Sequence, residues 1–510
     1  MSRFPLLRVW RPRLLVAATG FLISAVSPSA LLAAHVDNED DEKASRPKSS
    51  IFPPAAVPDL ETIPRRGIAR DFRLIAHTDL GRAGADNNGN SLAWKDDCLY
   101  IGHRGDEAGL LVLNSKTLKI INELPRVIGS NTQEHRVVAD LNLLLVMGFG
   151  PGSSGVNILQ VWDNADCVKP VLRSTVDFGA GRPHEFFVWR DPSVPSRVLA
   201  YQTISGGPAA AEKPGLRVID VSNKSAPVLV ATFDLRDFGV PRNEAASPSN
   251  QNTAQSNGIH SISVRDDGKR VYVSHQDAGF FILDSERIAT GSSCDTSHLE
   301  NDPCLRLVNP DVNARLDLSP PGRGNAHSAV KVPGKDVIIL GQEVLGSASC
   351  PWGWVRIVDI RFENSPTQIS TFLLPENLLE NCATAGPVAI ATASDFTAHN
   401  QTVLKNLVLI SWRGAGTRAI DISNPFMPHE VGYFFPQTVV GASGRRVRIH
   451  MASYPNIKDG LVYVLDRFNG LFVLKYTGPF HEEVDAVKGP CTGNASPVED
   501  IGLLQGNCTP

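Results

Sequence analysis

Helical periodicity is nearly absent from these 510 residues. Apolar residues come instead in short β-branched runs punctuated by 42 Gly and 36 Pro, which excludes a helical bundle and points to an all-β protein. No CxxC pair joins any of the eight cysteines, so the usual spacing of a thiolate zinc site is missing. Charge of one sign is lacking too: 49 Lys and Arg stand against 53 Asp and Glu, a formal charge of −4. That is too weak a field to suggest nucleic acid or an acidic membrane as a partner. There is no Walker A loop, no HExxH and no G-x-S-x-G elbow, which removes the sequence signatures of P-loop nucleotide hydrolysis, zinc-dependent proteolysis and serine hydrolysis. Past the N-terminus no segment approaches the roughly 20 uninterrupted apolar residues that span a bilayer as a helix.

The N-terminus does carry an apolar run. Arg3, Arg8, Arg11 and Arg13 precede Leu14 to Ile23, and small residues end in Leu32-Ala33-Ala34. This reads as a secretory signal peptide, residues 1–34, cleaved near Ala34. Residues 35–70, rich in charge, Ser and Pro, are expected to form a flexible leader. A secreted or periplasmic location follows, and in it an even set of cysteines favours disulfides. Cys294 and Cys304 share one loop, Cys350 and Cys382 fall in neighbouring loops, and Cys491 and Cys508 share the tail, 479–510. Cys98 and Cys167 then remain, at turns of adjacent repeats; spacing alone leaves the connectivity open.

What is present is a repeat of about 50 residues. Seven apolar runs close on a polar residue, among them LQVWD (Leu159 to Asp163), LRVIDVS (Leu216 to Ser222), VRIVDI (Val355 to Ile360) and RAIDIS (Arg418 to Ser423). Each is preceded by two further strand-like runs; in HSISV-RDDGKR-VYVSH, from His260, Asp-Gly marks a hairpin. Seven sets of antiparallel strands predict a seven-bladed β-propeller over residues 71–478. The last blade lacks a fourth strand, and FRLIAHTDL (Phe72 to Leu80) is expected to supply it and close the ring. The recurring strand-Asp-turn-Pro units, best at Leu216 to Pro227, Val355 to Pro366 and Ala419 to Pro428, resemble LVIVD repeats, found in secreted β-propellers. Blades one and four depart from that pattern, and the resemblance speaks to architecture far more than to activity.

Six repeats open on a histidine: His135, His184, His260, His327, His399 and His450. Their common place at the start of the innermost strand predicts a ring of imidazoles at one mouth of the toroid. Imidazoles converging without thiolates suit a transition metal, Fe, Cu or Zn. The preferred group is His184, His260, His327 and His399, from consecutive blades, with His450 and His135 in reserve. Polar residues ending the second strands reach the same mouth, and of these Glu343, Arg413 and Arg467 are expected to orient a small substrate. Carotenoid cleavage oxygenases and methanethiol oxidase-like propellers are similar in organisation, and the comparison implies iron or copper; neither family's full motif occurs here. Two functions stay open: a metal-dependent oxidoreductase acting on a small molecule, or a binding module recognising a protein or polysaccharide through the same face.

Overall fold

The computed structural model describes residues 53–490 apart from 82–87, 104–108, 151–154, 206–214, 235–257, 277, 295–303, 312–315, 317–325, 345–350, 382–395 and 442–443. Seven antiparallel sheets follow one another along the chain. From the axis outward, blade 1 is Asn88–Lys95, Cys98–His103, Leu110–Asn114 and Ile120–Leu124, and blade 2 is Asn131–Val138, Leu143–Phe149, Ile158–Asp163 and Val171–Asp177. Blade 3 is Arg182–Arg190, Val198–Ser205, Gly215–Asp220 and Val228–Phe233, and blade 4 is Ile259–Val264, Arg270–His275, Gly279–Asp284 and Arg306–Leu307. Blade 5 is Ala326–Lys331, Val337–Gln342, Val355–Asp359 and Thr367–Phe372, and blade 6 is Ala398–Val403, Leu407–Trp412, Thr417–Asp421 and His429–Phe435. Blade 7 contributes Asn456–Lys458, Leu461–Asp466 and Gly470–Tyr476.

Its fourth strand comes from the other end of the chain. Phe72–Thr78 runs antiparallel to Gly470–Tyr476, with Phe72 opposite Tyr476 and Thr78 opposite Leu471, so the edge that would otherwise lie bare is paired. Residues before 71 also join the propeller. Ile68–Arg70 adds a fifth strand to blade 6, Leu60 and Ile63 are buried, and the Val57 and Ala55 amides donate to Glu376 and Glu430. Residues 53–70 are therefore part of the fold, because their apolar side chains and backbone donors find partners on blade 6 and on the turn Pro375–Asn377 that precedes it. At the other end, the helix His481–Ala486 buries Val484, and its Glu483 accepts from the Asn406 amide.

The core is divided among the interfaces between blades. One apolar cluster joins blade 1 to blade 2 through Tyr100, Val112, Leu144 and Val146, and the next joins blade 2 to blade 3 through Leu145, Met147, Phe186 and Ala200. The series continues around the ring to blades 7 and 1, where Leu465 and Leu471 meet Trp94 and Leu99. Alternate residues of a middle strand thus enter different clusters: Tyr201 faces blade 4 and Ala200 faces blade 2. Both faces are covered, which is why runs such as LLLVM are continuously apolar.

The recurring acidic residue has a local cause. Asp163, Asp220, Asp284, Asp359 and Asp421 end the third strands, and each accepts the backbone N–H two residues on at 2.8 to 3.1 Å. Asn114 does the same in blade 1 at 3.1 Å. An Asx turn at this point starts the chain back toward the outer strand. In the Asp-Gly hairpin of blade 4, Gly268 has φ +73°, and a Cβ there would lie 2.4 Å from the Trp189 ring; only glycine meets both conditions. Blade 4 departs from the repeat because a short helix, Glu286–Ala289, and a disulfide loop replace the Pro turn.

Disulfides join Cys98 to Cys167 and Cys294 to Cys304. Cys350, Cys382, Cys491 and Cys508 lie outside the described residues. Gly150 to Gly155 spells G-x-G-x-x-G, but it connects antiparallel strands ending at Phe149 and starting at Ile158. Among the described residues no helix N-terminus follows to receive a pyrophosphate. Among the described residues no helix is long and apolar enough to cross a membrane.

Candidate metal centre

The innermost strands of blades 3 to 6 share one irregularity. Pairing with the second strand skips between Pro183 and Phe186, Ile259 and Ser261, Ala326 and Ser328, and Ala398 and Gln401. The skipped positions are His184 with Glu185, His260, His327, and His399 with Asn400. A β-bulge leaves one residue out of the ladder and re-aims its side chain, and here the side chains set free are the histidines. Hydroxyls of the preceding blade hold their backbone: Thr203 donates to the His260 carbonyl at 3.1 Å, Ser261 to that of His327, and Ser328 to that of His399 at 3.3 Å.

The four imidazoles form a continuous arc. Ring centroids are 4.1 Å apart from His184 to His260, 3.9 Å from His260 to His327 and 4.3 Å from His327 to His399. His184 and His260 present their Nε2 atoms to each other at 2.7 Å, one donating and one accepting. Glu343, buried at the end of the second strand of blade 5, stands against the arc. Its carboxylate lies 3.8 Å from His260 Nε2, 3.7 Å from His327 Nε2 and 3.6 Å from His399 Nε2. Two ligands bound tetrahedrally at about 2.0–2.1 Å stand roughly 3.3 Å apart, so a modest inward adjustment of these groups would enclose one ion. Two overlapping sets, Glu185 with His260 and His327, and His327 with Glu343 and His399, each bring three donor atoms within 4.8 Å of one another.

Electrostatics favour the ligand state of the rings. Burial pushes His260, His327 and His399 well below the usual histidine range, reinforced by neighbouring imidazoles and by Arg413. They are neutral at pH 7 and would release no proton to an incoming cation. His327 is 1% exposed, and neither of its ring nitrogens has a hydrogen-bond partner among the described residues. A buried polar group is normally satisfied, so this ring is placed as a ligand would be.

Arg413 opens the turn after Trp412, forms an ion pair with Glu343 and donates to His450 Nε2 at 2.9 Å. His450 is thus linked to Glu343 through Arg413. It precedes the innermost strand of blade 7, which starts at Asn456, and its backbone N–H is held by Asp466 at 2.6 Å. Arg467, half-buried, donates its backbone N–H to the His450 carbonyl at 3.0 Å. His135 stands apart from the arc. In blade 2 the bulge falls at Gln133, between Thr132 and Glu134, so His135 is two residues past the position that faces the axis. Its ring is fastened to Ser91 and to the Tyr100 carbonyl, each at 2.9 Å, and burial pushes its pKa down to about 3.

Below the arc lies a polar strut that sequence reasoning largely missed. Glu185 accepts from Tyr454 at 2.8 Å and from Asn400 at 3.3 Å, and it lies 4.0 Å from His260 Nδ1. Burial, with the nearby Glu134, holds the Glu185 carboxyl well above the usual carboxylate range. Glu134 pairs with Arg136 and accepts from the Phe186 amide. Tyr454 and Asn400 sit beside His450 and His399 in sequence, but only the bulges reveal which side chains turn inward.

The LVIVD repeat family model matches residues 209–235, the third and fourth strands of blade 3. No curated protein sequence matches. Among solved structures, the crystal structure of Chaetomium thermophilum Sqt1 is similar at 11% identity with a TM-score of 0.45, over 78% of this chain and 86% of that one. The crystal structure of a mitotic checkpoint complex is similar at 9% identity with a TM-score of 0.45, over 84% and 99%. The chain thus carries an LVIVD repeat in blade 3, within a ring of seven blades in which blades 2 to 6 end their third strand on the same Asp turn.

Proposed function

We propose that this is an exported metal-dependent oxidoreductase acting on a small molecule, with the ion held by His184, His260, His327 and His399 at the propeller axis. The observation that carries the reading is the pair of unpartnered ring nitrogens on buried His327, between two other neutral imidazoles. Imidazoles without thiolate suit iron or copper as well as zinc, and a bound redox metal would supply one-electron or Lewis-acid chemistry. Glu343 would orient the rings and offset cationic charge, while Arg413 fixes that carboxylate and offers a donor to an anionic or carbonyl group of the substrate. Export is supported by the basic-apolar-small pattern of residues 1–34 and by the two disulfides.

The test is metal analysis of protein purified without a metal-binding tag, alongside the double variant His260→Ala/His327→Ala. One equivalent of iron, copper or zinc in the wild type, lost in a variant that keeps its β-sheet circular dichroism, is the expected result. No stoichiometric metal in the wild type, together with an unfolded variant, would make the arc structural. The same face would then be read as a binding surface for protein or polysaccharide.

A further inference from the structure

A cavity lies away from the histidine arc, between the outer parts of blades 6 and 7. It measures about 750 Å³ and is lined by Arg65, Arg66 and Arg446, by His77 and Thr438, and by an apolar floor of Phe434, Phe472 and Leu74. That size falls within the range of small-molecule sites. Among the described residues that line it none is acidic; Glu61, 66% exposed, lies 3.8 Å from Arg446 Nε.

The walls are built rather than incidental. His77 donates Nε2–H to the Asn469 carbonyl at 2.7 Å and stacks on Phe472 at 4.2 Å, with Phe434 5.7 Å beyond. Arg446 donates to the Thr438 carbonyl and is anchored in a small hairpin closed by Val439 and Val447 at 2.9 Å. Thr438 is 1% exposed, and its hydroxyl has no hydrogen-bond partner among the described residues. An unsatisfied buried hydroxyl beside a guanidinium, above stacked aromatic rings, is a constellation that a ligand completes.

We propose that this cavity binds a small organic anion, a carboxylate or sulfonate carried on an aromatic or short aliphatic body. Arg446, Arg65 and Arg66 take the anionic group, the Thr438 hydroxyl donates to one of its oxygens, and Phe434, Phe472 and Leu74 cover the apolar part. Charge-assisted bonds from arginine supply affinity, and the apolar floor supplies selection for amphipathic acids over inorganic anions. The site shares no residue with the histidine arc and does not depend on the metal.

The probe is 1-anilinonaphthalene-8-sulfonate, followed by fluorescence against the full protein, with benzoate as competitor and neutral N-phenyl-1-naphthylamine as control. One saturable site per chain, displaced by benzoate and weakened about tenfold or more by Arg446→Gln or by Arg65→Gln/Arg66→Gln, is expected, with a smaller loss for Thr438→Val. Arg65 and Arg66 are exposed, so their double variant remains informative if Arg446→Gln fails to fold. Metal content should not change in any of these variants, which separates this site from the axial one. Wild-type affinity in both arginine variants, or equal binding of the neutral amine, would overturn the proposal.

Discussion

Tyr454 of blade 7 donates its hydroxyl proton to Glu185 of blade 3 at 2.8 Å, a bond between blades that are not neighbours in the ring. Both side chains are buried, and burial pushes both above their usual ranges. The bond therefore ties opposite sides of the toroid together beneath the imidazoles. Tyr454→Phe strips a donor from a buried carboxyl and is expected to lower stability by about 1–3 kcal/mol. Glu185→Gln keeps an acceptor for Tyr454 and should cost less at neutral pH. Urea midpoints of the two variants check the order.

Acid should destabilise the metal-free protein. His135, His260, His327 and His399 are all held below the ordinary histidine value of 6.5. Below that value the unfolded chain binds four protons that the folded chain refuses, and stability falls by about 1.4 kcal/mol per pH unit for each. Glu185 and Glu134, shifted upward, act in the opposite sense: their contribution is complete below the unfolded carboxyl value and is lost as pH rises. Asp466 and Glu483 are shifted upward as well, so the carboxyls offset part of the histidine loss, and the net fall expected between pH 6 and pH 5 is smaller than the four histidines alone would give. Denaturant melts of chelator-treated protein at these two pH values measure it, and unchanged midpoints would count against the buried neutral rings.

Glu343 and His135 should separate by readout. Glu343 contacts three of the imidazoles and Arg413, so Glu343→Gln is expected to weaken metal retention by about 10–100-fold. His135 serves Ser91 and the Tyr100 carbonyl. His135→Ala should leave metal content unchanged while costing about 1–3 kcal/mol. Equilibrium dialysis with a competing chelator and thermal melts distinguish the two effects.

Seven blades, the closing strand at Phe72 and the shared face of His260, His327 and His399 were all legible in the sequence, because period-2 alternation, an Asp turn and a missing last strand are local signals. The positions of His135 and His450 were not. Both look like their counterparts in sequence, but a bulge two residues earlier moves His135 out of the arc, and blade 7 delays its innermost strand to Asn456. Bulges carry no composition signal of their own here. The integration of residues 53–70 was hidden for another reason: Pro-rich, charged segments read as leaders, and only the buried pair Arg418–Glu430, which also binds Ala55, shows what they dock against.

The closing strand should be necessary for solubility. Phe72 is buried with its ring 4.9 Å from that of Tyr476, so Phe72→Ala is expected to cost about 3–5 kcal/mol. Removal of every residue up to Thr78 strips the strand that covers Gly470–Tyr476 and should yield aggregates seen by light scattering, since an unpaired apolar edge templates association.

The two disulfides close loops of different length, and their removal should rank accordingly. Cys98–Cys167 spans 69 residues and ties blade 1 to blade 2, whereas Cys294–Cys304 spans 10 residues inside blade 4. Chain entropy assigns the longer loop about 4 kcal/mol and the shorter about 3 kcal/mol. Cys98 is 1% exposed within the cluster between blades 1 and 2, so its loss also costs packing. The double variant Cys98→Ala/Cys167→Ala should therefore melt below Cys294→Ala/Cys304→Ala. The reverse order would mean that the interface between blades 1 and 2 is held by its apolar contacts alone.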